Sequence, residues 1–479
     1  MRPLSYPALL FLLAACGPAP HQGPVLTSED APNTGSPNTT GPSTTTGLLD
    51  EGEADLDIPP PADTDWVPQC SADGTCNLLD ILIVVDNSES MAAKQRQLAA
   101  DMPGFVQQLR ALKDRNGADV NADVNVMVTT TDVSHPACDE FIKDGYVPAK
   151  GAPQAELCTD RLPHFTAFGG VPSLPETCTA GCPSPADPLG PYVHFTRDTS
   201  NVEDADGMGD PVADALACIV PQGIDGCFYE APLEAMLQAL DPGKDWNKGA
   251  TPFLRSGAKL AIILLTDESD CSIKDYRHFD PANAGDPMFT QFWPASLEDP
   301  DLPGEPNSSV CWRAGLECAD ADADHTYESC TSVDRGVLQP LERYTSYLHE
   351  VLIKQKQKDV TMLVLGGVPS VTAHADTPPF QPTAGGLADL VFRDWISDDV
   401  FMDDTRTFEQ LQFDYGVAPG CNPAADRRAL PPGRMIDVCR SLDAEDQLRC
   451  CIESACDTSY QPAFTCLTGA LSQLFEIPD

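Results

Sequence analysis

One short stretch of this chain combines acidic and hydroxyl side chains at alternate positions. The stretch DNSES, residues 86–90, directly follows a run of branched aliphatic residues that begins at Leu78. A second aliphatic run, LAIILLTD, also ends in an acid, Asp267. Carboxylate and hydroxyl oxygens are the donors that Mg²⁺, Mn²⁺ and Ca²⁺ prefer in proteins. If the two segments meet, Asp86, Ser88, Ser90 and Asp267 would form an oxygen-rich cluster that suits a divalent cation.

Both acids lie where buried strands of a parallel sheet would end. Nearly continuous aliphatic runs, such as residues 78–85 and 258–265, are typical of strands that are buried on both faces. The carboxyl ends of parallel strands meet at one edge of a sheet, and open α/β sheets bind their ligands there. We therefore expect Asp86 and Asp267 to lie side by side, where two carboxylates without a cation would repel each other.

The motif also has a purely structural interpretation. Serine and aspartate favour the N-terminal caps of helices, and a strand-to-helix turn needs such a cap. Apolar residues spaced by threes and fours from Met91 to Leu112 predict a helix directly after the motif. Taken alone, DNSES favours capping over metal binding. The second acid, Asp267, shifts the interpretation towards a cation.

Strand and helix patterns alternate along the body of the chain. The patterns predict strands at 78–85, 124–132, 258–267 and 360–368, and helices at 91–112, 230–240 and 341–352. This order predicts an α/β fold with a doubly wound, mostly parallel, Rossmann-like sheet. We expect one body from 66 to 479, with cysteine-rich insertions at about 135–209 and 274–334 and a cysteine-rich C-terminal part.

The N-terminus has the features of an export signal. Arg2 precedes the apolar stretch ALLFLLAA, which is too short to span a bilayer, and LAAC ends at Cys16. This segment resembles a bacterial lipobox, which implies a signal at 1–16 and a lipid on Cys16; the alternative is an ordinary cleaved signal with a chance cysteine. Residues 17–65, rich in Pro, Thr and Ser, predict a disordered tether. Gly17 is not the aspartate of an inner-membrane retention signal, which favours the outer membrane.

Charge and cysteine content narrow the class of protein. The formal net charge is -44, and such a surface would repel a nucleic-acid backbone, so no nucleic-acid partner is expected. Of the 19 cysteines, the 18 besides Cys16 form an even set in a chain that looks exported. Structural disulfides are the expected use of these cysteines. Zinc is the alternative, but the cysteine spacings lack paired zinc-ligand motifs.

The motif DNSES, the segment LLTDESD and their order resemble the von Willebrand factor type A domain and its metal-ion-dependent adhesion site. The resemblance implies that Ser88 and Ser90 bind the cation through their hydroxyls, while Asp86 and Asp267 hold it directly or through water. It also implies one open coordination position for a carboxylate of a protein or extracellular-matrix partner. TDESDCS and GGLADLVFRDW resemble segments of large type A lipoproteins of Gram-negative bacteria, which bears on location rather than mechanism.

One position departs from the type A pattern. The family usually supplies a threonine before a middle helix, whereas this chain has GCFYEAPLEAM with Glu230 at the comparable place. As a fifth ligand, Glu230 would tighten cation binding and weaken capture of an acidic partner group. Alternatively, Glu230 only favours the helix N-terminus. Thr131 and Asp132, at the end of the second strand, are other donors for the same edge.

The sequence thus predicts a lipid-anchored envelope protein that binds a protein or matrix ligand through a divalent cation, with Mg²⁺ ahead of Mn²⁺ and Ca²⁺. The body would face the periplasm or the cell surface, and the lipid on Cys16 would be its contact with the membrane. One alternative is a structural scaffold in which the cation only staples loops. Another is a metal-dependent hydrolase, although the chain has no H-E-x-x-H and no G-x-S-x-G motif, which favours a non-enzyme.

Overall fold

The structure is a computed structural model that describes residues 77–476, apart from 140–142, 144, 168–169, 171, 183–186, 205–208, 321–323, 396–405 and 446. The predicted signal at 1–16, the lipidation site Cys16 and the tether at 17–65 lie outside the described residues. Within the described part, no helix is both long enough and apolar enough to cross a membrane.

A central six-stranded sheet organises the body. The strands in the described part of the chain, within and outside this sheet, are β1 Leu78–Val85, β2 Asp123–Thr130, β3 Val193–Phe195, β4 Lys259–Leu265, β5 Leu316–Ala319, β6 Thr326–Tyr327, β7 Ser329–Ser332, β8 Val360–Gly366, β9 Ala373–His374, β10 Pro382–Ala384, β11 Phe392–Arg393 and β12 Cys450–Ser454. The central sheet has the order β12-β8-β4-β1-β2-β3, and β5–β7, β6–β11 and β9–β10 form small two-stranded sheets. All central pairings are parallel except that of β3 with β2.

Helices cover both faces of this sheet. The α-helices in the described part of the chain are α1 Ala92–Arg110, α2 Glu176–Thr179, α3 Pro211–Ile219, α4 Pro232–Ala239, α5 Pro287–Thr290, α6 Ser309–Gly315, α7 Leu341–Ser346, α8 Phe408–Tyr415, α9 Gly433–Arg440 and α10 Gln461–Ser472, and α7 continues as a π-helix over Tyr347–Gln355. The helices α1, α3 and α10 share one apolar core with alternate β1 residues such as Ile81 and Ile83. The intervening residues Leu82 and Val84 are also fully buried, and α4 contacts β1 and β2. The predicted α/β fold with a mostly parallel sheet is confirmed.

The two edge strands are absent from the sequence prediction. β3 lies within the insertion expected at 135–209 and is only three residues long, too short for a recognisable strand pattern. β12 has the sequence CCIES, and its two adjacent cysteines point to disulfide chemistry rather than to a strand. Tertiary pairing with β2 and β8 therefore fixes these segments more than local propensity does.

Disulfide bonds anchor the insertions and the C-terminal part, as predicted. The pairs are Cys138–Cys227, Cys158–Cys178, Cys182–Cys218, Cys271–Cys311, Cys318–Cys330, Cys421–Cys456, Cys439–Cys450 and Cys451–Cys466. Every cysteine in the described part of the chain is thus paired with another cysteine. No cysteine thiolate is left there for the alternative, a zinc site. Cys70 and Cys76 lie outside that part.

Candidate functional site

The sheet places the two predicted aspartates at the carboxyl ends of neighbouring strands. β1 and β4 are parallel, with Val85 opposite Leu265 in the register. Asp86 follows Val85 directly, and its backbone N–H donates to the carbonyl of Leu265 at 2.9 Å. Asp267 comes two residues after Leu265. Both acids are buried at this edge, with 0% and 4% of their surface exposed.

The two serines of the motif connect these acids. Ser90 Oγ donates to Asp267 Oδ1 at 3.0 Å, and Ser88 Oγ lies 3.3 Å from Ser90 Oγ. Ser88 precedes a short 3-10 helix, Glu89–Met91, but its side chain makes no capping hydrogen bond. The capping interpretation is therefore wrong for the Ser88 hydroxyl, which faces the other hydroxyl of the motif instead.

Asp86 is held in place by hydrogen bonds from both sides. Its Oδ1 accepts from the backbone N–H of Ser88 at 2.8 Å, and its Oδ2 accepts from Thr266 Oγ1 at 2.6 Å. Burial, followed by the negative charge of Asp267, raises the pKa of Asp86 to about 6. These hydrogen bonds thus only partly offset the burial of Asp86 and the nearby charge of Asp267. Thr266 was not among the predicted site residues, although its position just before Asp267 at the strand end is a usable signal.

A buried lysine pairs with the second aspartate, which the sequence analysis did not predict. Lys94 Nζ lies 2.7 Å from Asp267 Oδ2, and the two side chains are 1% and 3% exposed. Lys94 Nζ also donates to the carbonyl of Ser90 at 3.2 Å. Lys94 stands one helical turn after Ser90, so its spacing from the motif is the signal that would have indicated this contact.

Glu230 is fully buried beside the cluster but contacts a different strand end. Thr131 Oγ1 donates to Glu230 Oε2, while Oε1 has no hydrogen-bond partner among the described residues. Burial, and then the charge of Asp86, raises the pKa of Glu230 well above its usual range, which favours a protonated, neutral side chain. Glu230 directly precedes Ala231, the N-cap of α4, so it lies beside the N-terminus of this helix, as the alternative interpretation expects.

The loop before α4 packs closely against the motif. The backbone N–H of Gly226 donates to the carbonyl of Asn87 at 2.9 Å. A Cβ at position 226 would lie 2.4 Å from Asn87 Oδ1, so any other residue here would require the Asn87 side chain to move. Cys227 bonds to Cys138 and donates its backbone N–H to Asp132 Oδ2 at 3.2 Å. The disulfide thus fixes the loop that closes one side of the candidate site.

Asp132, the alternative donor, is already engaged in this loop contact. Besides the bond from Cys227, its carboxylate accepts from Tyr146 Oη at 2.7 Å and from the backbone N–H of Ser134 at 2.8 Å.

A further acid, Glu268, follows Asp267 and was not predicted. Desolvation and the charges of Asp267 and Asp86 raise its pKa well above its usual range.

The arrangement concentrates carboxylates around one internal ammonium group. Across the described ranges, no group of three or more His, Cys, Asp or Glu side chains is arranged to hold a metal ion. Glu230 therefore does not complete a three-carboxylate group with Asp86 and Asp267. The two aspartates and two serine hydroxyls nevertheless form a contiguous set of hard oxygen donors, and the incompletely compensated charge of Asp86 is the feature that a dication would relieve.

The type A resemblance rests on the motif and on the position of its residues at the sheet edge. No protein-family model and no curated protein sequence matches this chain.

Proposed function

We propose that this protein has a type A domain whose divalent-cation site binds a carboxylate of a protein or extracellular-matrix partner. Asp86, Ser88, Ser90 and Asp267 would hold the cation, with Mg²⁺ first and Mn²⁺ or Ca²⁺ as alternatives. The observation that carries the proposal is the 3.0 Å contact of Ser90 Oγ with Asp267 Oδ1, because it joins the motif after β1 to the acid after β4.

Charge and exposure both suit capture of an external group. Ser88 is buried, whereas Glu89 and Ser90 are exposed, so the outer side of the motif faces solvent. A bound dication would supply a positive centre with room for one further oxygen ligand. The charges of two ionised aspartates and one dication sum to zero, so the occupied site would not strongly repel an anion. A carboxylate from a partner would then complete the coordination shell.

The buried Glu230 does not oppose this function when it is neutral. A protonated Glu230 adds no negative charge, so it would not repel the incoming carboxylate as an ionised ligand would. Its contact with Thr131 also keeps it at the neighbouring strand end. Glu230 is therefore assigned a supporting position beside the cation rather than a place among its ligands.

The location proposed for this binding function is the bacterial envelope. The lipid on Cys16 would anchor the chain to the outer membrane, and residues 17–65 would hold the body away from the lipid surface. The disulfide bonds of the body support an oxidising compartment. The proposed activity is binding, without a catalytic step.

A structural scaffold is the second candidate, and one observation favours it. Lys94 already places a buried positive charge on Asp267, so the edge has a partial substitute for a cation. In this alternative, a bound cation would only add stability to the loops. The two candidates differ in whether removal of the cation releases a partner or merely lowers the melting temperature.

Calorimetric titration of Mg²⁺, Mn²⁺ and Ca²⁺ into the oxidised protein tests the cation site. We expect saturable one-site binding that is lost in Asp86→Ala and retained in the control Asp245→Ala, whose carboxylate is fully exposed. A pull-down from envelope and matrix proteins, with and without EDTA, then tests the partner. Cation binding without any EDTA-sensitive partner would favour the scaffold, and absence of cation binding would contradict both candidates.

A further inference from the structure

A cavity of about 590 Å³ lies between the second insertion, which includes α6, and residues 394–395 and helix α8. Its volume falls within the range of small-molecule sites in proteins, about 300–1,000 Å³. None of its lining residues belongs to the candidate cation site. Its possible ligand is therefore independent of the function proposed above.

Apolar side chains form most of the cavity wall. Leu297, Trp395, Phe408 and Phe413 are among them, and half of the surface of Leu297 is exposed. The Trp395 ring is fixed because its Nε1 donates to the carbonyl of Val417 at 2.7 Å. This bond holds the Trp395 part of the wall in place.

Two acids line the cavity: the carboxyl of Glu409 is fully exposed, and Asp394 already has its hydrogen-bond partners. Asp394 Oδ1 accepts from Tyr327 Oη at 2.6 Å and from Gln412 Nε2 at 3.0 Å. Its other oxygen, Oδ2, lies 3.1 Å from His325 Nδ1. Asp394 therefore does not require a cationic or donor group from a ligand.

The guanidinium of Arg313 is less well satisfied. Arg313 Nε is buried and finds no hydrogen-bond acceptor among the described residues. Burial lowers the pKa of Arg313, although the nearby charge of Asp394 opposes this effect. A buried guanidinium N–H without an acceptor is unfavourable, and a carboxylate is the geometric complement of the group.

We propose that this cavity binds a small apolar molecule that carries a carboxylate. The carboxylate would pair with the guanidinium of Arg313, and the aromatic or branched aliphatic body of the ligand would lie against Trp395 and Phe408. The net charge of -44 opposes the approach of anions in general. Preference for an anionic ligand must therefore originate locally, and Arg313 is the residue that supplies it.

A matched pair of probes separates the charge from the apolar body. We would titrate 4-phenylbutyrate and its neutral analogue 4-phenyl-1-butanol into the full oxidised chain and follow tryptophan fluorescence and heat. Hydrogen bonds to charged groups are strong enough that we expect about tenfold or more tighter binding of the carboxylate. Arg313→Gln should abolish this preference. The control Arg277→Gln, which removes an exposed guanidinium paired with Asp275, should preserve it.

Leu297→Glu provides a second variant on an exposed position, where misfolding is not expected. The introduced charge should weaken 4-phenylbutyrate binding more than 4-phenyl-1-butanol binding. Equal binding of the two probes by the unmodified protein would overturn the proposal. So would a preference that survives Arg313→Gln, or the absence of saturable binding up to about 10 mM probe.

Discussion

Lys94 Nζ lies 2.7 Å from Asp267 Oδ2, and both side chains are almost fully buried. The lysine comes from the helix after the motif, whereas the aspartate comes from the neighbouring strand end. The candidate site therefore contains an internal positive charge, and any bound cation must share Asp267 with Lys94. Competition between Lys94 and a cation for the Asp267 carboxylate is therefore the central electrostatic property of the site.

Replacement of Lys94 by methionine should destabilise the cation-free protein and increase its dependence on the cation. Removal of one partner from a buried ion pair typically costs about 3–5 kcal/mol, because the other charge remains buried. We expect a lower melting temperature in EDTA and a larger increase on addition of Mg²⁺ than in the unmodified protein. The control is Lys113→Met, which removes an exposed lysine paired with Asp119. An equal Mg²⁺-dependent shift in Lys94→Met and the unmodified protein would show that Lys94 does not oppose the cation.

Replacement of Ser90 by alanine should weaken cation binding without unfolding the protein. The Ser90 side chain is exposed at the edge, and its hydroxyl donates to Asp267. Loss of one hard ligand should reduce Mg²⁺ affinity by about tenfold or more, as measured by calorimetry. Ser472→Ala is the matched control, because this hydroxyl donates to the carbonyl of Gly469 in its own helix and accepts from Gln473 Nε2, far from the motif in the sequence. Unchanged affinity in Ser90→Ala would remove this hydroxyl from the ligand set.

The pair of His374 and Glu453 should make stability depend on pH. Burial raises the pKa of Glu453 from 4.5 to about 7, although the hydrogen bond and the charge of His374 oppose this rise. Because the folded pKa is raised, the contribution is fully present below pH 4.5 and is lost as the pH rises through about 7. The total effect is on the order of 3 kcal/mol. Urea titrations from pH 4 to 8 should show a smaller fall in the free energy of unfolding for Glu453→Gln.

Glu298→Gln is the control for this measurement, since Glu298 is exposed. Its pH profile should match that of the unmodified protein. If Glu453→Gln also has an unchanged profile, protonation of Glu453 is not linked to folding in this range.

Removal of the Cys138–Cys227 disulfide should have a larger effect than removal of the Cys318–Cys330 disulfide. The first closes a loop with a sequence separation of 89, and the second closes one of 12. On the chain-entropy model, the longer loop contributes about 2 kcal/mol more to the free energy of unfolding. Paired cysteine-to-serine variants, compared by thermal melting, measure this difference. The Cys138 and Cys227 variant should also bind Mg²⁺ more weakly, because Cys227 holds the loop beside the motif.

Similar melting temperatures in the two double-serine variants would contradict the entropy argument. Unchanged Mg²⁺ affinity in the first variant would show that the loop at Cys227 does not position the cation ligands.

Local patterns predict the strand ends of the candidate site but not the pairings between distant segments. Asp86 and Asp267 follow aliphatic runs, and parallel strands necessarily bring such positions to one edge. The partner of Lys94 is 173 residues away, and its burial depends on packing that the helical period alone does not specify. Arg313 gives no sequence signal, because its environment is assembled from the second insertion and residues near 394 and 412.

The edge strand β12 shows why one segment type was missed. Cys450 and Cys451 are adjacent, so their side chains point to opposite faces of the sheet. One bonds to Cys439 of α9 and the other to Cys466 of α10. Two adjacent cysteines therefore indicate a strand that is bonded to a helix on each face of the sheet. This inference can be made only when the positions of both helices are already known.

The central position of β1 has a mechanical consequence. The chain before residue 77 joins β1 at its amino end, and the motif lies at its carboxyl end, while β2 and β4 pair with it on either side. A partner that binds at the motif and pulls against the preceding chain would load β1 along its length. The hydrogen bonds on both sides lie across this direction and would resist in shear, all together rather than one after another. The strand that presents the motif is thus also the strand best placed to carry tension.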